Sequence, residues 1–282
     1  MAKLVSVHAV SHVPSMVNFP GAIGEADRLE IFAAFKQVGA EIAAARPDVV
    51  IIVSDDHLHN FFLDNLPAFC IGAADRYPTP VEHWLKVDKA VLPGDAALGA
   101  HLLGEMLQND FDPALSMNLT LDHGTIVPLV LAGLSADIPV VPLLVNCVQP
   151  PLPPMRRCLK LGKAIGAAVR TYRGAGRVAL LATGGISHDV ATPRMGMVNE
   201  AFDRAFLNHL VGGDEAALTA YATDHVNEAG NGAEEIRNWL VAQGAAGGAA
   251  AETILYKPMP AWFTGIGLVR WQIDQSEDAC AD

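Results

Sequence analysis

The chain has 282 residues, 51% of them hydrophobic and 18% charged, with a net charge of -12 at pH 7. That length suits one large α/β domain or two small ones. The acidic balance argues against a nucleic-acid or anionic-membrane partner, and no apolar run approaches the ~18 residues of a membrane span.

In chain order, strand and helix patterns alternate. Residues 3–8 read as a short strand, and "MAKLVSVHAV" lacks the shape of a signal peptide, so a cytoplasmic protein is expected. Residues 25–46 carry apolar side chains at helical spacing up to Pro47. The run Val49–Val53 is continuously apolar and β-branched, as in a strand buried on both faces. Residues 96–108 read as a helix, 138–146 as a second buried strand, 155–172 as a helix, and 177–185 as a strand entering a glycine turn. Helices are expected at about 197–210, 214–224 and 233–243, a helix end and loop over the small-residue segment 244–251, and a last strand near 265–272. "SEDACAD" reads as a frayed acidic tail, from about residue 274. With no internal repeat or linker, the economical reading is one α/β catalytic domain over 1–282, its central sheet largely parallel or mixed and flanked by helices.

Ligands in such sheets collect beyond the carboxyl ends of the strands, and the histidines gain meaning there. His12 follows the first strand, His57 follows "VVIIVSDD" and His188 follows "VALLATGGIS". If these strands are parallel neighbours, their imidazoles face one crevice. His12 is followed by Pro14, which would stop a sheet ladder. His123 precedes an apolar helix-like run, and Gly124 beside it permits a tight turn or close backbone approach. A lone loop histidine is ordinarily a hydrogen-bonded bystander, and His8, His83, His101, His209 and His225 are read so. His59, in "HLH", is carried as a candidate substrate contact. The cysteines Cys70, Cys147, Cys158 and Cys280 form no C-x-x-C pair, which suits a reduced compartment and gives no thiolate cluster.

A two-histidine metal site needs an anionic ligand. Asn231 reads as a helix N-cap with Glu234 as its capping-box partner. Glu235 shares a helix face with Ile236, Trp239 and Leu240, so it is expected to point inward, where a carboxylate needs a partner. Two histidines and one carboxylate suit a non-haem iron with open positions, although zinc hydrolases use the same ligand types. A hydrolase or lyase, and a non-catalytic subunit, are the competing readings.

The segments "SHVPS", "DDHLHNFF", "LDHGTIVPL", "GGISHDV" and "EEIRNWL" occur here in the order found in the class III extradiol ring-cleaving dioxygenases. From residue 4 to about 270 the chain resembles this family. The resemblance implies a non-haem Fe(II) held by His12, His57 and Glu235, with acid–base roles for His188 and His123. It implies insertion of both atoms of O2 into a catechol-type ring, giving a ring-opened semialdehyde-type acid. "FFLDNLPAFCIG", "YPTPVEHW" and "YKPMPAWFTGIG" are similar to the dihydroxyphenylpropionate-cleaving group, whereas "GGISHDVATPRMG" is similar to the protocatechuate 4,5-cleaving group. Arg194 in that last segment could hold a substrate carboxylate through its planar fork, or be a surface arginine at a helix start. The resemblance also implies either a homo-oligomer acting alone or a separate small helical partner subunit.

Overall fold

A computed structural model describes residues 1–274; "SEDACAD", expected to fray, lies outside them. The strands are β1 (Lys3–Val10), β2 (Val49–Ser54), β3 (Phe69–Gly72), β4 (Arg76–Thr79), β5 (Ala90–Pro93), β6 (Ala114–Ser116), β7 (Val140–Val145), β8 (Arg177–Thr183), β9 (Ala251–Met259) and β10 (Thr264–Trp271). The helices are α1 (Ser15–Asn18), α2 (Glu25–Ala44), α3 (Ala96–Gln108), α4 (His123–Ala132), α5 (Met155–Thr171), α6 (Glu200–Gly212), α7 (Glu215–His225) and α8 (Ile236–Ala245). Among the described residues, no helix is long and apolar enough to cross a membrane.

Eight strands form one sheet in the order β6-β3-β7-β2-β8-β1-β10-β9, and β4 and β5 pair apart from it. The sheet is mixed: β7, β2, β8 and β1 run parallel, whereas β10 and β9 add antiparallel at one side. Alternating strand residues feed two cores. Val49, Ile51, Val53, Val178, Leu180 and Ala182 pack beneath α3, α5 and α8, while Val50, Ile52, Ala179 and Leu181 pack beneath α2 and α4. A parallel sheet covered on both faces explains why these strands read as unbroken apolar runs.

The expected helices and buried strands are present, with small shifts at their ends. The short strands β3 to β6 and the long β9 were not expected. β3 and β6 are too short to show periodicity, and β9 is half-buried and interrupted by Pro258. The region expected as a helix over 233–243 is a 3-10 turn over Gly232–Glu235 followed by α8. All ten residues of α8 are buried, so this helix has no solvent face.

Two glycines allow that burial. A Cβ on Gly162 of α5 would lie 2.0 Å from the Val241 carbonyl oxygen, and one on Gly244 of α8 would lie 2.1 Å from that of Leu159. The two backbones therefore touch, and α8 is pressed toward the sheet. There Asn238 Nδ2 donates to the Thr183 carbonyl at 2.9 Å and Trp239 Nε1 to that of Gly184 at 3.1 Å. Gly244→Val should cost about 1–3 kcal/mol of stability by forcing the helices apart. Gly104→Ala, on an open helical position with nothing within 4 Å, should instead gain about 0.5–1 kcal/mol. Denaturant midpoints of the two variants check both signs.

Candidate metal centre and active site

β2, β8 and β1 are adjacent and parallel, so the expected crevice exists. β1 ends at Val10, and Ser11 closes the ladder: its N–H donates to the Gly267 carbonyl at 2.9 Å, and its Oγ accepts from Gly267 N at 2.9 Å. His12 then leaves the sheet, and Pro14 caps α1. His57 follows β2, and His188 follows β8 through the Gly184–Gly185 turn. His123 is the first residue of α4. The His12 ring lies 5.4 Å from that of His57 and 5.3 Å from that of His123, and the His57 and His123 rings are 4.1 Å apart.

Glu235, at the entry to α8, is 6% exposed. Its Oε2 accepts from Gly185 N–H, and its Oε1 lies 3.5 Å from His57 Nε2 and 3.6 Å from His188 Nε2. The inward direction expected of Glu235 is therefore present. Its cause is different: it starts a helix buried on all sides, rather than lying on one apolar face. The capping box is absent. Asn231 uses its amide on Val190, accepting from its N–H at 2.7 Å and donating to its carbonyl at 3.0 Å. Glu234 instead pairs with the buried Arg237, whose Nε also donates to the Pro153 carbonyl at 2.7 Å.

Three imidazoles are fixed in the same sense. His57 Nδ1 bonds Asp122 Oδ2 at 2.9 Å, His123 Nδ1 bonds Glu82 Oε1 at 2.6 Å, and His188 Nδ1 donates to the Ile186 carbonyl at 3.0 Å. Each anchor places a proton on Nδ1 and leaves Nε2 for the crevice. The carboxylates are themselves held: Asp122 accepts from His57 N–H and Gly124 N–H, and Glu82 from His123 N–H. Gly124 makes the expected close approach, since a Cβ there would lie 3.2 Å from His57 Cε1. Around His188 a Cβ on Gly185 or Gly232 would fall 2.5 or 2.1 Å from the ring, so glycine forms its walls.

Protonation is set by burial and these charges. Burial takes His12 down to about 3, leaving a neutral imidazole. Burial also lowers His123, helped by the charge of His57. Burial alone would lower His57, but Asp55, Asp122 and Glu235 together carry it well above the usual range. Burial alone would raise Glu235, but His12, His188 and His57 hold it well below the carboxylate range. His188 is raised because Glu235 outweighs its burial. An acidic hollow that favours the protonated form of His57 and His188 is a hollow that a divalent cation suits better.

Fit to a metal is supported by unpartnered atoms. His12 Nδ1 and both Asp55 oxygens are buried without a hydrogen bond. Donor atoms of His12, Asp55, His57 and Glu235 lie within 4.8 Å of one another, and those of His12, His57 and His123 form an overlapping set.

Residues 6–267 match the family model described as the catalytic LigB subunit of aromatic ring-opening dioxygenase. The chain belongs to this family. It is 30% identical to a Burkholderia vietnamiensis protein named 2,3-dihydroxyphenylpropionate/2,3-dihydroxicinnamic acid 1,2-dioxygenase, covering 93% of this chain and 96% of that one. A protein of the same name from Azotobacter vinelandii is 29% identical, covering 94% of this chain and 98% of its own length. The fold is shared with the crystal structure of an uncharacterised Escherichia coli K12 protein, at 17% identity and a TM-score of 0.62, over 94% of this chain and 100% of that one.

The remaining family-implied contacts sit at the margin. His59 is half-buried, with Nε2 3.4 Å from Glu82 Oε1. Arg194 is exposed; its Nε lies 3.2 Å from Asp189 Oδ2 and its Nη2 donates to the Glu228 carbonyl at 2.9 Å. Sequence reading missed Asp55, Glu82, Asp122 and Asp203. Asp122 was the most accessible of these, as an aspartate in N-cap position before the His123 helix. Buried Asp203 secures the turn before His188, accepting from Ser187 N, Ser187 Oγ and Tyr256 Oη at 2.8, 2.7 and 2.8 Å. Nothing in local sequence ties Glu82 to a histidine 41 residues away. Glu82→Ala would strand the His123 Nδ1–H and N–H without acceptors, at about 1–3 kcal/mol. Glu82→Gln, which keeps an acceptor, should recover most of that loss in urea unfolding.

Proposed function

We propose that this ring-opening dioxygenase is an Fe(II)-dependent extradiol enzyme acting on a catechol-type substrate and O2. The observation that carries the reading is the gathering of His12, His57 and His188 around the buried Glu235 at the ends of adjacent parallel strands, with His57 and His188 each fixed at Nδ1. His12, His57 and Glu235 are the proposed ligands, a donor set that suits a divalent iron with open positions. The ion, when bound, supplies joint binding of diol and O2 and a path for electron density from ring to oxygen. The names of the relatives support a catechol bearing a carboxylate side chain as the substrate class.

The chain's own groups then divide the proton work. His188 keeps its Nδ1 proton on the Ile186 carbonyl and turns Nε2 toward the crevice, so Nε2 is the proposed acceptor of a phenolic proton. With Glu235 neutralised by a cation, its pull on the His188 proton is reduced, which moves this imidazole back toward an ordinary base at neutral pH. His123, held neutral by burial, donates or accepts one hydrogen bond at Nε2 toward a substrate hydroxyl or an oxygen atom. Burial of these groups excludes bulk water from the proton transfers. His59 and Arg194 are the proposed contacts for the ring substituent. Arg194 would have to share or exchange its ion pair with Asp189.

The test is a panel of catechols with Fe(II)-loaded protein, following ring-opened chromophores and O2 uptake. Equimolar O2 consumption is expected; turnover without oxygen, as a hydrolase or lyase would give, sinks the reading. His188→Ala should keep its iron and lose about 10²–10⁴-fold in turnover.

The adjacent acids offer a second check. Glu235→Gln should lose iron retention and activity. Glu234→Gln should keep iron but lose about 3 kcal/mol of stability, because it breaks the buried pair with Arg237. Iron content and thermal midpoints of both variants separate the two outcomes.

A further inference from the structure

The chain has four tryptophans, and three of them belong to the core. Each of these three donates its indole N–H to a protein oxygen: Trp239 to the Gly184 carbonyl at 3.1 Å, Trp262 to the Phe19 carbonyl at 3.1 Å and Trp271 to Gln243 Oε1 at 2.8 Å. Trp84 is the exception. It is 57% exposed, and its ring centroid lies 6.2 Å from that of His123, at an interplanar angle of 47°. Phe19, also exposed, follows Asn18, whose Nδ2 donates to the Trp84 carbonyl at 3.4 Å. An indole left in water beside a proposed acid–base imidazole has apolar area to offer a molecule that enters there.

The indole is also held in place beforehand. Residues 80–89, between β4 and β5, have no regular secondary structure, yet the chain is pinned on both sides of Trp84. On one side Glu82 Oε1 is bonded by the N–H and Nδ1 of His123. On the other, Lys86 N–H donates to Asn18 Oδ1 at 2.8 Å, and Lys86 Nζ to the Asn18 carbonyl at 3.0 Å. Lys89 Nζ donates to the Pro80 carbonyl and, at 3.2 Å, to that of Glu82. A platform fixed before binding spends little free energy on ordering when its ligand arrives. His59 adjoins the same Glu82 carboxylate, so Trp84 and His59 both neighbour the Glu82–His123 pair.

We propose that Trp84 is a specificity-determining residue, whose indole is the apolar wall against which the substrate's ring substituent packs. This rests on the dioxygenase reading above and narrows it. A carboxylate attached directly to the catechol ring offers an indole face no apolar length. A carboxylate at the end of a two-carbon arm does: the arm lies on the indole, and the charge passes beyond it. The platform therefore selects arm-bearing catechols over those with a carboxylate on the ring or with no substituent.

The experiment compares catechol with 3-(2,3-dihydroxyphenyl)propionate on the Fe(II)-loaded full chain, as wild type, Trp84→Ala and Trp84→Phe. KM and kcat are measured in air, and dissociation constants by calorimetry without oxygen. Trp84→Ala should raise KM and Kd for the propionate compound about tenfold, the loss of one aromatic packing contact, and those for catechol by less than about twofold. Trp84→Phe keeps an aromatic face and should recover most of the difference. Equal weakening of both ligands, or of neither, overturns the proposal. So does a fall in kcat for both compounds at unchanged Kd, which makes Trp84 a support for His123 instead. Absence of ring cleavage with either compound in the wild type overturns the dioxygenase reading, whereas an unsplit pair of dissociation constants overturns only the role of Trp84.

Discussion

A buried carboxylate needs positive charge beside it, and the architecture around Glu235 answers that need. The side chain enters from α8, a helix buried on every side, and its neighbours arrive from three parallel strands. Every other arrangement in the crevice is subordinate to that charge. Asp122 and Glu82 orient imidazoles from behind, Gly185 and Gly232 leave room for His188, and the contact of α5 with α8 fixes where the carboxylate stands. Without the close glycine packing the helix could not approach the sheet, and Glu235 would not reach the histidines.

The division of labour among the acids has the same origin. Asp56, Asp122 and Asp203 are satisfied by backbone and side-chain donors and serve as struts. Glu234 is spent on Arg237. Among these acids, Asp55 and Glu235 alone face the shared space between His12 and His57. A net charge of -12 is therefore a poor guide to this region, where the balance between imidazole and carboxylate is set residue by residue.

Much of this was legible in the sequence because parallel strands buried on both faces announce themselves as apolar runs, and the residues just past the carboxyl ends of such runs gather at one end of the sheet. That placed His12, His57 and His188 together. Burial of Glu235 was legible from Trp239 and Leu240, though for an incomplete reason, since a helix without a solvent face has no stripe to read. The capping box failed because Asn231 had a better use: holding the strand-like loop at Val190. Glu82 was illegible because its role is defined by a contact with no local periodicity. The edge strands were missed because short or half-exposed segments carry little pattern.

The placement of β1 between β8 and β10 has a consequence for how the protein comes into being. His12 is synthesised well before β8 and β10, and its strand cannot be sandwiched until both have been made. Glu235 also arrives late. The crevice is thus built from partners separated by most of the chain, pairings that form slowly because long loops must close first. During synthesis the early strands β1 and β2 would wait with their apolar faces uncovered, a period in which chaperones or aggregation compete for them. A nascent chain cannot bring Glu235 to His12 and His57, so the candidate metal centre is complete only in the finished fold.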